Sequence, residues 1–213
     1  LPQNRGGKTY YPMQPEEFTK LTKDFLKING VSFLGGCCGT TPAHIEALSK
    51  AVEIEVPLKP CGFLKASLAS LFGTVPLKQE PAPLLIGERS NATGSKAFRE
   101  LLKVNDYEGT LSVGQQQVRA GAHVIDVSVG FAGRDERFDM DAVTALYSQK
   151  VALPLMPDST QIYALEAALK QIGGRAIINS VNLEDGEEKF DAVCKLAKKF
   201  GAALVCLVID EVG

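Results

Sequence analysis

The sequence predicts an α/β protein whose larger part consists of the parallel β/α units of a (β/α)₈ barrel. Three observations carry this reading. From Leu84 onward, short apolar runs alternate with amphipathic ones; the apolar runs end in polar residues; and the glycine pattern of a dinucleotide-binding loop is missing. Strands that alternate with helices need crossover connections and therefore pair in parallel. Polar groups repeated at the C-terminal ends of strands mark the active-site face of a barrel, whereas a doubly wound sheet gathers its site at one switch point.

The elements follow in order. Residues 15–28 read as an amphipathic helix, with Phe18, Leu21, Phe25 and Ile28 at helical spacing and Pro15 in the first turn. Asn29-Gly30 ends it, and residues 31–34 read as a short buried strand. A loop, Gly35-Gly36-Cys37-Cys38-Gly39, leads to a second helix capped by Thr41, with Pro42 first and Ile45, Leu48 and Val52 on one face. Residues 1–55 thus form one unit. Residues 56–83 are punctuated by Pro57, Pro60, Pro76, Pro81 and Pro83, a density that excludes a helix. Their apolar stretch, 64–71, predicts a linker that packs against something, since free tethers are polar. In residues 84–213 strands are predicted at 84–86, 124–127, 153–156, 176–178 and 203–209. Helices are predicted at 95–104, 107–120, 138–150, 160–172 and 187–200.

Composition narrows the function classes. Of 213 residues, 45% are hydrophobic and 23% charged, as in ordinary globular proteins. The net charge is −2 with no block of Lys and Arg, which argues against nucleic acid or an anionic membrane as partner. The longest clean apolar run, 202–209, is too short to span a bilayer, and no secretory signal is visible. The chain opens Leu1-Pro2 without Met, so an earlier natural start is expected. Five cysteines, an odd number without an export signal, predict free thiols in a reducing, cytoplasmic setting. Cys194 and Cys206 read as small buried hydrophobes.

Two constellations carry chemistry. The first is Gly35-Gly36-Cys37-Cys38-Gly39-Thr40. Thiolates bind zinc strongly, but adjacent side chains of an extended strand point to opposite faces. Cys37 and Cys38 can reach one ion only where the backbone bends, which the flanking glycines allow. The pair alone is equally compatible with a Gly-rich turn carrying two incidental thiols, or with a vicinal disulfide. Two ligands do not complete a tetrahedral site, and no third is evident in this chain; His44 is expected on a solvated or packing side. With Thr41-Pro42-Ala43-His44-Ile45, and with Tyr11-Pro12 and Pro15-Glu16-Glu17-Phe18 upstream, this segment resembles the last strand and helix of the homocysteine methyltransferase barrel. The resemblance implies that Cys37 and Cys38 are two of three zinc ligands, the zinc holding the sulfur of homocysteine.

The second constellation is Gly87-Glu88-Arg89-Ser90-Asn91-Ala92-Thr93-Gly94-Ser95, taken with Asp126, Pro157-Asp158-Ser159-Thr160 and Ile178-Asn179-Ser180. Each polar residue singly reads as a cap or turn. Four arriving in order at strand ends read as a cleft for a ligand with amide and amine edges. Their order resembles the pterin-binding barrel of the methyltetrahydrofolate methyltransferases. That resemblance implies folate binding by Glu88, Asn91, Asp126, Asp158, Ser159 and Asn179, with Asn91, Asp126, Asp158 and Asn179 as the candidate catalytic set. The chain departs from the pattern at Ser128, where relatives more often carry Asn, and at Pro157, where an apolar residue is expected.

The two signatures in this order resemble the cobalamin-dependent methionine synthases over nearly the whole chain. The resemblance implies parts of two (β/α)₈ barrels joined by a linker. It implies a methyltransferase that moves a methyl group from 5-methyltetrahydrofolate, through cobalamin held by another domain of the same protein, to zinc-bound homocysteine. No cobalamin-binding Asp-x-His-x-x-Gly segment is present, and both barrels would be partial, so the 213 residues alone are expected to be inactive. Two rivals are a homocysteine methyltransferase barrel fused to a folate-oxidising reductase and a noncatalytic folate-binding module.

Overall fold

The computed structural model describes residues 2–28, 31, 33–53, 65–210 and 212. They belong to two units, Leu1–Leu64 and Lys65–Gly213.

In the first unit, Gly6 and Gly7 take φ of 60° and 81°, closing a tight turn between β1 (Gln3–Arg5) and β2 (Lys8–Tyr10). The Gly-Gly pair between two short polar runs was the available signal for this hairpin, which hydrophobic periodicity does not detect. Helix α1 (Pro15–Lys23) continues as a 3₁₀ turn, Asp24–Lys27, filling the predicted helical span. Helix α2 (Pro42–Val52) follows Thr41 as expected. The helices meet where the Phe18 ring stands edge-on to His44, with centroids 5.6 Å apart. The strand predicted at 31–34 does not form among the described residues, and Phe33 is 94% exposed. A strand needs a ladder partner, and the described residues of this unit offer none beyond the β1–β2 pair. Asn29, Gly30 and Ser32 lie outside the described residues, as do residues 54–64, including Cys61 and the first part of the proline-rich stretch.

From Lys65 the proline-rich stretch is structured. Strands β3 (Ser67–Ala69) and β4 (Thr74–Pro76) form an antiparallel hairpin. Its backbone crosses the N-terminal ends of the strands that follow. Ala69 N donates to Arg175 O (3.1 Å) and Ser70 Oγ to Ala152 O (2.8 Å). A side chain on Gly174 would come within 2.2 Å of the Ala69 carbonyl oxygen, so glycine is required there.

The remaining chain alternates strands with helices, two of them between the first two strands: β5 (Ile86–Asn91), α3 (Lys96–Lys103), α4 (Tyr107–Arg119), β6 (Val124–Ser128), α5 (Glu136–Lys150), β7 (Leu155–Pro157), α6 (Ile162–Gln171), β8 (Ile177–Val181), α7 (Gly186–Phe200) and β9 (Ala203–Cys206). β5–β6–β7 and β8–β9 pair in parallel, and an Asp158–Asn179 bridge joins the two groups. The strands therefore lie side by side in chain order, as the alternation predicted. Local signals place the helices. Ser95, Asp106 and Asp135 cap α3, α4 and α5 by accepting the Phe98, Gly109 and Phe138 N–H groups. Gly201, at φ 65°, ends α7.

Period-two alternation sorts the strand side chains. Ile125, Val127 and Leu155 pack with Phe98, Met140 and Tyr147 from the helices, and Ile178 with Leu165, Val193 and Leu196. On the opposite, inner face Val124, Met156 and Ile177 form a separate apolar layer closed by Leu68 of the hairpin. Strand boundaries differ from the predicted ones in one systematic way: β5, β6, β7 and β8 run further in the C-terminal direction, and all but β7 do so into polar residues. Ladder hydrogen bonds use only the backbone, so hydrophobicity marks where a strand is buried rather than where it ends. β9 is the exception and stops at Cys206, leaving Val208 fully exposed. Cys206 is exposed and Cys194 only partly buried, contrary to the core role expected of both; Cys206 lies at the end of a strand paired on one side only.

Candidate functional site

One turn of strand above the apolar inner layer, the sheet becomes polar. Val124 and Asp126 of β6 share the inner face, two residues apart, and so do Ile177 and Asn179 of β8. Asp126 is 2% exposed. The Asn179 side-chain amide donates to Asp126 Oδ1 at 3.1 Å, and the Asn91 side chain also hydrogen-bonds to this carboxylate. Asn91 is itself fixed, because its Oδ1 accepts the Thr93 and Gly94 N–H groups at 2.9 and 3.0 Å. The turn reading and the site reading of Asn91 are thus both satisfied, by different ends of one amide.

Charge accumulates around this centre. Burial pushes the Asp126 carboxyl up to about 7, against the downward pull of the two amides and aided by the negative charges of Asp158 and Glu88. Asp158, just past β7, is also raised by burial and by Glu136 and Glu88, while a Ser128 hydrogen bond opposes the rise. Glu88 is exposed on β5 and takes part through its charge. Four of the sequence-predicted residues, Asn91, Asp126, Asp158 and Asn179, therefore meet around one buried carboxyl, with Glu88 at the rim. Ser159 is turned elsewhere: its hydroxyl donates to Glu136 and accepts the Gln161 N–H at 2.9 Å.

One participant was noted in the sequence only as a departure from the family pattern, and another escaped it. Ser128 fixes Asp158, and the strand-end rule that found Asp126 would have found Ser128 had β6 been read one residue further. Glu136 opens a helix two loops away, and no sequence signal links it to Ser159. Gly130 makes room for it, since a side chain there would meet the Glu136 carboxylate at 3.1–3.2 Å.

The cysteine pair of the first unit lies on a turn. Thr40 N donates to Cys37 O at 3.0 Å and Gly39 takes φ 83°, the geometry of a type II turn. A side chain on Gly39 would strike the Tyr11 ring at 2.2 Å. The backbone bends where two adjacent thiols need it to, and both thiols are exposed. They border a groove of about 620 Å³ lined by Tyr11, Met13, Phe18, Phe25, Phe33 and Leu34 among others. His44 is committed to packing. Its Nε2 lies 3.1 Å from Met13 O, and its Nδ1 accepts the Thr41 N–H at 3.2 Å. Among the described residues no group of three His, Cys, Asp or Glu side chains can hold a metal. The turn thus offers two neighbouring thiols, fewer donors than the four of a tetrahedral zinc site.

Comparison with known proteins divides the chain in the same way. Residues 87–212 match the family of pterin binding enzymes, and residues 1–52 match homocysteine S-methyltransferase. The chain is 42% identical over 207 residues, 95% of its length, to methionine synthase of Mycobacterium tuberculosis. It is 42% identical over 217 aligned residues to methionine synthase of Mycobacterium leprae. It spans 17% and 18% of the length of those two relatives.

Proposed function

This chain belongs to the pterin-binding enzymes, and from that premise we propose that it serves methyl transfer from 5-methyltetrahydrofolate to homocysteine, giving tetrahydrofolate and methionine. In this reading residues 84–213 are the N-terminal part of a folate-binding (β/α)₈ barrel and residues 1–55 the C-terminal part of a homocysteine-binding one. The observation that supports it most is the buried Asp126 carboxyl held between Asn91 and Asn179 at adjoining strand ends. A pterin ring offers amide and amine edges, and this group can accept or give a proton near neutral pH. Asn91 and Asn179 orient it, Asp158 adds a second carboxyl positioned by Ser128, and Glu88 guards the rim. Ser159 acts through Glu136, as a support for the Asp158 loop.

Cys37 and Cys38 are the zinc ligands of the other half, completed by a donor outside the described residues. Zinc bound there supplies the Lewis acidity that keeps the homocysteine sulfur a thiolate at neutral pH. Cobalamin, carried by another domain of the same protein, would supply the methyl-carrying chemistry that links the two substrates. The groove beside the cysteines shelters the chain of homocysteine from water. Among the described residues no helix is long and apolar enough to cross a membrane, and the reading places the protein in the cytoplasm.

The test is titration of the intact protein with 5-methyltetrahydrofolate. Asp158→Ala and Asn179→Ala should each weaken binding about tenfold to a hundredfold, the effect of a lost buried hydrogen bond. Cys37→Ala and Cys38→Ala should leave that binding intact while zinc content falls and transfer to homocysteine stops. Unchanged folate affinity in the first pair would remove the pterin site; unchanged zinc in the second would remove the metal assignment.

A further inference from the structure

Strand β5 contains an irregularity that decides which of its side chains reach the site. Gly87 pairs with Ile125, but the next pairing is Ser90 with Val127, so β5 advances three residues while β6 advances two. The extra residue is a β-bulge. In an unbroken strand Glu88 and Ser90 would share a face and Asn91 would point to the other. With the bulge, Ser90 turns to the helix layer, where it is wholly buried, and Asn91 joins Glu88 on the inner face beside Asp126.

A bulge leaves a backbone N–H without its ladder partner, and here one side chain takes it up. Gln117 of α4 accepts the Arg89 N–H on Oε1 at 2.8 Å. Its Nε2 donates to Ser90 Oγ at 2.9 Å, and Ser90 Oγ lies 3.0 Å from the Tyr147 hydroxyl, which donates to Thr110 O at 2.6 Å. Gln117 is 3% exposed, and Ser90 and Tyr147 are wholly buried. Each polar atom of this relay has a partner, which is the condition under which a buried network specifies one conformation. Space is reserved for it too. A side chain on Gly87 would come within 2.6 Å of Gln117 Oε1, and one on Gly114 within 2.9 Å of the Tyr147 ring.

The geometry points to Gln117 as a positioning residue for the folate site: by binding the bulge of β5 from the helix layer, it holds Asn91 on the inner face, against Asp126. This inference rests on the pterin reading proposed above. Gln117 touches no ligand in this scheme and acts through Asn91.

A double-mutant cycle in the intact protein tests it, with the dissociation constant for 5-methyltetrahydrofolate as readout. Gln117→Met keeps length and helix propensity but removes its hydrogen bonds to Arg89, Ser90 and Val113, and it should weaken binding about tenfold or more. Asn91→Ala should do at least as much. In the Asn91→Ala background, Gln117→Met should add little, because its effect runs through the side chain already removed. Gly87→Ala displaces the same carboxamide from the strand side and should mimic Gln117→Met, deciding the matter should the Met variant not fold. Hydrogen exchange at the Arg89 amide should speed up in both. Multiplicative losses in the cycle would mean a general structural role and overturn the inference. So would wild-type affinity in Gln117→Met or Gly87→Ala while Asn91→Ala binds weakly. Failure of the wild-type protein to bind the folate would sink the pterin reading and this inference together.

Discussion

Asp126 sets two forces against each other. Two amide hydrogen bonds favour its charged form, yet burial and the neighbouring Asp158 and Glu88 charges win, and the carboxyl ends near 7. The folded state thus holds a proton that the unfolded chain releases near 3.8. Such a group stabilises fully below the unfolded value, and its contribution is lost as pH rises through the folded one. The window is therefore from about 4 to about 7, and the full shift corresponds to at most roughly 4 kcal/mol. Asp126→Asn removes the ionisation while keeping the shape. The transition that unfolds the second unit within the intact protein should rise in temperature at pH 8 and move much less at pH 4.5, in thermal scans at both. An equal gain at both values would show that Asp126 is not protonated by its burial. Asn91, Asp126, Asp158 and Asn179 stood out as candidate site residues because each lies in the polar stretch at the C-terminal end of a predicted strand. Gln117 did not stand out, since a glutamine in a helix carries no marker of what it will bind, and Ser128 was marked only as a departure from the family pattern.

At the scale of elements, the helices and the order of the strands followed from patterning, because caps and periodicity are local. What the pattern did not contain was the hairpin β3–β4. Its strands are three residues each, and its meaning comes from contacts with residues far along the chain, such as Arg175 and Ala152. The apolar stretch around Leu68 did announce that something covers it. The strand expected at 31–34 fails for the converse reason, a local pattern with no ladder partner among the described residues. Leu68 makes the hairpin's role measurable. It is wholly buried with Val124, Met156 and Ile177, and of these Met156 stands in register beside Asp126. Leu68→Ala should cost about 2–5 kcal/mol by opening a cavity, read as a lower denaturant midpoint for the second unit in the intact protein. At ambient temperature the folate affinity should stay within about threefold of wild type, less than one lost hydrogen bond. A large loss of affinity would mean that the inner apolar layer transmits to the polar one.

At the scale of the whole molecule, the parallel sheet presents among the described residues two strands with one neighbour each, β5 and β9. At the start of β5, Leu85 just before it and Ile86 within it are 48% and 39% exposed; beyond β9, Leu207, Val208 and Ile209 are all exposed. Long apolar edges of this kind recruit other strands, and a closed barrel avoids the hazard by having no edge. A net charge of −2 offers little repulsion to oppose association. Residues 1–213 produced by themselves should therefore form soluble oligomers or precipitate, and should hold little zinc, since the turn at Cys37 and Cys38 supplies two donors. Size-exclusion chromatography with light scattering and elemental analysis would measure both. Placing a charge on the edge separates this cause from general instability: Val208→Lys should raise the monomeric fraction without raising the unfolding temperature, because an exposed lysine blocks edge pairing and adds nothing to the core. A cooperative monomer from the unaltered 213 residues would mean that these edges are satisfied within the chain, and the reading of the two units as parts of larger barrels would fall with it.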